Sequence, residues 1–232
     1  MSAPVASHEA PVIAIDGPSG AGKGTVAREL AGRLGYHLLD SGAVYRAAAL
    51  HAGRAGADLD DEAAVLDAMD RLDVRFEPGP SGVRVFFGDE EVTGELRTES
   101  TAAGASRVAV MREVRARLLP QQRSFRVAPG LVADGRDMGT VVFPDATVKV
   151  FLTASPEERA RRRAKQLKDK GIDGTLESLL EEIAARDERD ANRLHSPLVA
   201  ADDALRIDSS AVSADVVVAR IVETLQGKLS TS

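Results

Sequence analysis

The sequence predicts an α/β protein: a central parallel sheet flanked by helices, with a small antiparallel insertion and a two-helix excursion. Three features of the chain lead there. Short apolar runs, beginning with PVIAI at residues 11–15, alternate with stretches of helical spacing. A glycine-rich turn, GPSGAGK, joins the first run to the first helix. The rhythm breaks only at residues 58–95 and 155–194, whose compositions differ from the rest. With 232 residues, 44% of them apolar, the chain can bury an ample core as one domain.

Residues 11–15 are bounded by turn formers and read as a buried strand. Residues 24–34 then place Val26, Leu30 and Leu34 at helical spacing and stop at Gly35. HLLD at 37–40 is the next strand, followed by a helix over 41–52. Further strands are expected at 131–134, 148–152 and 204–208, and a closing helix at 213–225. Residues 58–95 open with a polar helix, then carry FEPGPSG and VRVFF, which suggests antiparallel strands. At 155–158, SPEE is a helix start: Ser155 can cap, Pro156 suits the first turn, and Glu158 completes a capping box. That helix should run to Lys170 and break at Gly171; a second should span 175–194. The core is therefore expected at about 11–57, 97–154 and 195–232, with the insertion at 58–96 and the helical pair at 155–194.

Composition excludes several classes. The net charge of −6 speaks against a general nucleic-acid binder, which needs a broad basic face. No apolar run approaches the roughly 18 residues that cross a bilayer. The first ten residues lack the basic and apolar regions of a signal peptide. A cytoplasmic location is expected, with no membrane partner, and nothing demands a second chain, so a monomer is expected. Cys is absent, which rules out disulfides and thiolate catalysis. His8, His37, His51 and His195 lack metal-ligand spacing and read as structural or solvated. Residues 159–170 carry seven Lys or Arg against Asp169 alone. Such a run is either a solvated helix face or a local anion trap.

Gly17-Pro18-Ser19-Gly20-Ala21-Gly22-Lys23 has the spacing G-x-x-x-x-G-K between a strand and a helix. That is the phosphate-loop context: backbone N–H groups curl around an anion, the helix dipole favours it, and Lys23 reaches the β- and γ-phosphates. ATP is the expected ligand. Gly24 stands where such loops usually carry a Mg2+-binding hydroxyl, and Thr25 follows one place later. Mg2+ keeps several waters and takes few protein ligands, so Thr25 and Asp134, acting through water, can still hold it. Asp16 reads as a residue bracing the loop. The guanine-reading string N-K-x-D and the γ-phosphate-sensing string D-x-x-G are both missing, which argues against a GTP-dependent switch.

The loop, continued as G-K-G-T, resembles that of the nucleoside monophosphate kinases. LLDSGAVYR at 38–46, ADGRDMGTVVFPDA at 133–146 and RDERDANR at 186–193 narrow the resemblance to the bacterial cytidylate kinases, over about residues 11–207. It implies a P-loop kinase fold, with ATP and CMP or dCMP as substrates and Mg2+ as cofactor. It also implies that Asp40, Ser41, Arg46, Ser106, Arg115, Arg136, Asp137, Arg186, Asp190 and Arg193 bind CMP. Among these, Arg46, Arg136 and Arg193 would hold the acceptor phosphate, while Arg186 and Asp190 would reach the ribose. Arg186, Asp190 and Arg193 lie at i, i+4 and i+7 and share a helix face, which also suits an ordinary ion-pair ladder. Asp137, Arg115 and Ser106 match the base pocket, although Asp137 can equally brace the Arg136 turn. Lys23, Arg136 and Arg193 would be catalytic. So would Arg159 and Arg163, which with Arg162 form one positive face of the first helix of the 155–194 pair, a lid over ATP. UMP is the alternative acceptor.

Overall fold

The structure is a computed structural model that describes residues 10–79, 82–169, 171, 175–193 and 196–230. In chain order its elements are β1 (Val12–Asp16), α1 (Lys23–Leu34), β2 (His37–Asp40), α2 (Ser41–Arg54), α3 (Glu62–Met69), β3 (Val74–Gly79), β4 (Gly82–Phe87) and β5 (Glu90–Glu91). These are followed by α4 (Thr93–Leu96), α5 (Glu99–Val108), α6 (Arg112–Ser124), β6 (Leu131–Gly135), a π-helical turn (Met138–Val142), β7 (Val148–Thr153), α7 (Pro156–Asp169), α8 (Leu176–Ala191), β8 (Leu205–Asp208) and α9 (Ala214–Ser230). His8, Pro80, Ser81, Lys170, Leu194 and His195 lie outside the described residues, so the expected helix ends at Lys170 and Leu194 do too.

The larger sheet has the strand order β2-β6-β1-β7-β8. β1 pairs in parallel with β6, Val12 opposite Leu131, and with β7, Ile13 opposite Val148; β8 extends β7 in parallel. All five residues of β1 are buried, as a strand covered on both faces requires. Because these strands run parallel, the loops after β1, β6 and β7 emerge at one end, where ligands of open α/β sheets bind. α1 packs Val26, Ala27, Leu30 and Ala31 inward beside α9, which buries Val217, Val218, Ile221, Val222 and Leu225. Gly35 ends α1 in the left-handed conformation, its N–H bonded to the Ala31 carbonyl.

Two compact units make up the chain. One comprises Met1–His37 and Arg126–Ser232, the other Leu38–Phe125. The second is broader than the 58–96 insertion, because α2, α5 and α6 belong to it. There Ala43 and Ala47 of α2 pack with Val85, Val92 and Leu96, and the antiparallel ladder β3-β4-β5 supplies Val74, Phe76, Val83 and Phe87 around them. In the first unit, α7 and α8 close on each other through Ala160, Leu167, Leu179 and Ile183. No helix among the described residues is long and apolar enough to cross a membrane.

The capping box at Ser155 forms by half. The Ser155 hydroxyl accepts the Glu158 N–H at 3.2 Å, but the Ser155 N–H donates to the Ser210 hydroxyl at 2.8 Å instead. The Glu158 carboxylate turns to Arg161 and Arg162, whose full charges outcompete one backbone donor.

Candidate active site

The loop between β1 and α1 is shaped by close approach. A Cβ on Gly17 would stand 2.0 Å from the Leu152 carbonyl oxygen, so only glycine fits beside β7. Gly22 caps α1 at φ 92° with no side-chain bond to the first turn, so no capping side chain covers the helix end that an anion would approach. Lys23 bends back over the loop, its Nζ donating to the Pro18 carbonyl at 2.9 Å and lying 3.9 Å from Asp134 Oδ1. Burial lowers its pKa to about 7; Arg136 pushes in the same direction, and Asp134 and Asp16 oppose them.

The puzzle of Gly24 has a steric side. A Cβ there would come 3.4 Å from Asp134 Oδ2, so Gly24 faces that carboxylate at van der Waals range. Thr25 is exposed beside it. Among the described residues no group of three or more His, Asp or Glu forms a metal cage. One carboxylate and one hydroxyl nevertheless suit Mg2+, which takes phosphates and water as its other ligands. Asp16 does brace, but at the π-helical turn after β6 rather than within the loop. Its carboxylate accepts the Met138 and Gly139 N–H groups, both at 2.8 Å, and so ties the end of β1 to the π-helical turn. Burial raises its pKa to about 6 against those two hydrogen bonds.

A second set of groups in this unit surrounds Asp190, which is 2% exposed. Arg136 Nε donates to Asp190 Oδ2 at 2.8 Å and its Nη1 to the Gly135 carbonyl at 3.2 Å. Arg193 binds the other carboxylate oxygen. Burial pushes the Asp190 carboxyl up, but Arg136, Arg193 and Arg186 together hold it below the usual aspartate value. Three guanidinium groups thus act on one buried carboxylate, a concentration of positive charge that suits an incoming anion. Asp137 is buried between Arg136 and the π-helical turn, which its carbonyl starts by accepting from Val141 and Val142.

The arginines of α7 are not an open positive face. Arg159, 3% exposed, is bidentate to Asp187 of α8 at 2.9 and 2.5 Å, and reaches the Ser19 carbonyl in the phosphate loop at 3.2 Å. Arg162 donates to the Ser209 carbonyl at 2.6 Å and to Glu158 at 3.0 Å, while the Ser209 hydroxyl donates to the Ala21 carbonyl at 2.9 Å. Arg163 is half-buried. Asp187 and Ser209 were missed by sequence reasoning. The one signal available was for Asp187, which stands in the RDERDANR stretch at 186–193.

In the Leu38–Phe125 unit, the Asp40 carboxylate caps α2, accepting the Ala43 N–H at 3.0 Å, and pairs with Arg46 at 2.8 Å. Gly42 makes room for that pair, since a Cβ there would lie 2.9 Å from Arg46 Nη1. Arg46 Nε is buried with no acceptor among the described residues. Ser41 is buried at the start of the same helix. Arg115 donates to the Ala109 carbonyl at 3.1 Å and stacks over Tyr45, 5.6 Å from the ring centre. The Ser106 hydroxyl donates to the Ala102 carbonyl at 3.2 Å.

Comparison with known proteins gives this arrangement its relatives. The family model described as cytidylate kinase matches residues 13–227. The chain is 58% identical over 214 residues to the cytidylate kinase of Pseudomonas aeruginosa (strain UCBPP-PA14), covering 91% of this chain and 93% of that one. To the cytidylate kinase of Aeromonas salmonicida (strain A449) it is 53% identical over 220 residues, covering 95% and 96%. For Vibrio parahaemolyticus the figures are 52% over 224 residues, 97% and 99%. With the family match spanning the phosphate loop, the Asp190 cluster and α9 alike, the chain belongs to the cytidylate kinase family.

Proposed function

We propose that this chain transfers the γ-phosphoryl group of ATP to CMP, and to dCMP, giving ADP and CDP or dCDP. The observation that carries the reading is the cluster of Arg136, Arg186 and Arg193 around the buried Asp190, in the same unit as a phosphate loop with its lysine. Two phosphate groups brought end to end repel each other, and cations must offset that charge. Arg46, Arg136 and Arg193 hold the acceptor phosphate, since planar guanidinium forks bind phosphate oxygens bidentately. Arg186 and Asp190 take the ribose, and Asp40, which pairs with Arg46, and Ser41 also bind CMP. Gly17 to Thr25 wrap the triphosphate, and Arg159 and Arg163 of the α7–α8 lid reach it from above the loop.

The attacking phosphate oxygen is already anionic, its second pKa being about 6, so no general base is needed. Lys23, Arg136, Arg193, Arg159 and Arg163 align the two phosphates and stabilise charge spread over the transferring group. Thr25 and Asp134, through water, are the residues that would hold Mg2+; bound there, the ion would offset charge on the phosphate oxygens. We take the enzyme to act as a cytoplasmic monomer, and a gel-filtration profile showing a dimer would correct that part. Mixing the protein with ATP, Mg2+ and each nucleoside monophosphate in turn, while following ADP, tests the whole. ADP should appear fastest with CMP or dCMP and slowly without an acceptor; equal release in every tube would overturn the assignment.

Base choice follows from hydrogen-bond polarity. Asp137 accepts from the cytosine amino group and repels the uracil carbonyl in its place, while Arg115 and Ser106 bind the rest of the ring edge. A polar site deprived of its partner can discriminate by about 10⁴-fold. Asp137→Ala should therefore collapse most of the CMP-to-UMP preference in kcat/KM, and an unchanged ratio would contradict this role.

Lys23 gives a pH signature. With its pKa near 7 in the free chain, it is largely neutral at pH 8. A bound triphosphate favours the ammonium form, so ATP binding at pH 8 should be accompanied by proton uptake, and by less at pH 6, where the lysine is already charged and phosphate groups shed protons on binding. Calorimetry in buffers of different ionisation enthalpy reads this directly. Identical heats in all buffers at pH 8 would show that Lys23 keeps its proton throughout.

A further inference from the structure

We infer that Asp187 is a positioning residue for the phosphoryl transfer, acting by fixing the plane of the Arg159 guanidinium against the phosphate loop. Arginine carries five N–H donors in a rigid fork. Arg159 commits four of them: Nε to the Ala154 carbonyl at 3.1 Å, Nη1 to both the Ser19 carbonyl at 3.2 Å and Asp187 Oδ1 at 2.9 Å, and Nη2 to Asp187 Oδ2 at 2.5 Å. The second N–H of Nη2 has no acceptor among the described residues. A cation this buried, touching the loop that wraps the triphosphate, with one donor left over, is set for a phosphate oxygen.

Without Asp187 the guanidinium keeps only two carbonyl contacts, on Nε and Nη1, and the side chain can swing about them. The bidentate carboxylate removes that freedom before substrate arrives, which is the saving that preorganisation supplies. Placement on α8 extends the effect. Asp187 and Asp190 stand one helical turn apart, the first holding Arg159 beside the phosphate loop and the second holding Arg136 and Arg193. One helix therefore sets the spacing between the arginine at the donor triphosphate and those at the acceptor phosphate. Ile183, one turn before Asp187, seats the helix in the α7–α8 apolar cluster. This inference rests on the proposed contact of Arg159 with the triphosphate.

The test compares Asp187→Asn, Asp187→Glu, Arg159→Ala and the double variant Arg159→Ala with Asp187→Asn, by steady-state kinetics with ATP and CMP and by thermal unfolding. Asp187→Asn keeps the size and one acceptor oxygen but loses the charge and the symmetric grip. It should lower kcat by about 10²-fold, the order of effect of a 1 Å misplacement, with KM for CMP within about twofold of wild type. Asp187→Glu should recover most of that loss. The double variant should be no slower than Arg159→Ala alone, since Asp187 acts only through Arg159. A mere staple between α7 and α8 would instead lower Tm and leave kcat of the folded enzyme unchanged. If Arg159→Ala is slow while Asp187→Asn keeps wild-type kcat, the positioning role is wrong and the reading of Arg159 stands. If Arg159→Ala itself keeps wild-type kcat, both fall.

Discussion

Replacing Lys23 by Met is expected to lower kcat about 10³-fold while leaving Tm unchanged or higher. Removing one preorganised donor to a developing charge costs about 10²–10³-fold in related settings, and a full charge against the transferring phosphoryl belongs at the upper end. The stability half follows from burial. Lys23 is 6% exposed, and its depressed pKa shows that desolvation and the nearby Arg136 outweigh what Asp134 and Asp16 offer it. Methionine fills nearly the same volume without charge, so the folded chain gives up a strained interaction and keeps its packing. The ammonium is thus held for the substrate rather than for the fold, the usual trade between stability and activity. Parallel measurement of turnover and thermal unfolding checks both halves; a large drop in Tm would mean that Lys23 is structural.

Removing the Asp190 carboxylate should have the opposite character, damaging fold and function together. Asp190→Ala leaves Arg136 and Arg193 facing each other with Arg186 nearby and no buried anion between them. Breaking a buried pair in this way costs about 3–5 kcal/mol. For a chain of this length that is a fall in Tm on the order of 10 °C. The arginines also lose the carboxylate that orients them, so kcat/KM for CMP should fall by about 10²–10³-fold. The pH dependence has a definite sign. Because the arginines depress the Asp190 pKa below its ordinary value of 3.8, its contribution is present above that value and is lost as pH falls through the lower, folded-state pKa. The Tm difference between wild type and variant should therefore stay level from pH 8 to pH 5 and close only in stronger acid. A difference that shrinks near neutrality would mean that another group carries the effect.

Both variants touch groups whose residue types were visible in the chain before their partners were. The sheet was legible because β1 and β6 open with apolar runs, VIAI and LVA, before the aspartates at their ends, a pattern that suits buried parallel strands. Helix starts were legible where a side chain or a glycine marks them, as at Lys23 and Pro156. Ends were less so. The apolar spacing of α9 stops at Leu225, yet the helix runs to Ser230, because a solvated last turn needs no apolar residue and Gly227 does not break it. The arginine spacing on α7 suggests one positive face, but the sequence says nothing of what lies opposite. Asp187 is on the next helix and the Ser19 carbonyl is backbone, so no side-chain pattern could show that Arg159 is buried and bound. The same limit applies at Ser155, where the competitor for its N–H, Ser210, comes from beyond β8.

The most direct measurement is a crystal structure of the chain with CMP. The account predicts guanidinium nitrogens of Arg46, Arg136 and Arg193 within hydrogen-bond distance of the phosphate oxygens, with the Asp137 carboxylate at the cytosine amino group. A complex in which all three arginines point away from the phosphate would contradict it.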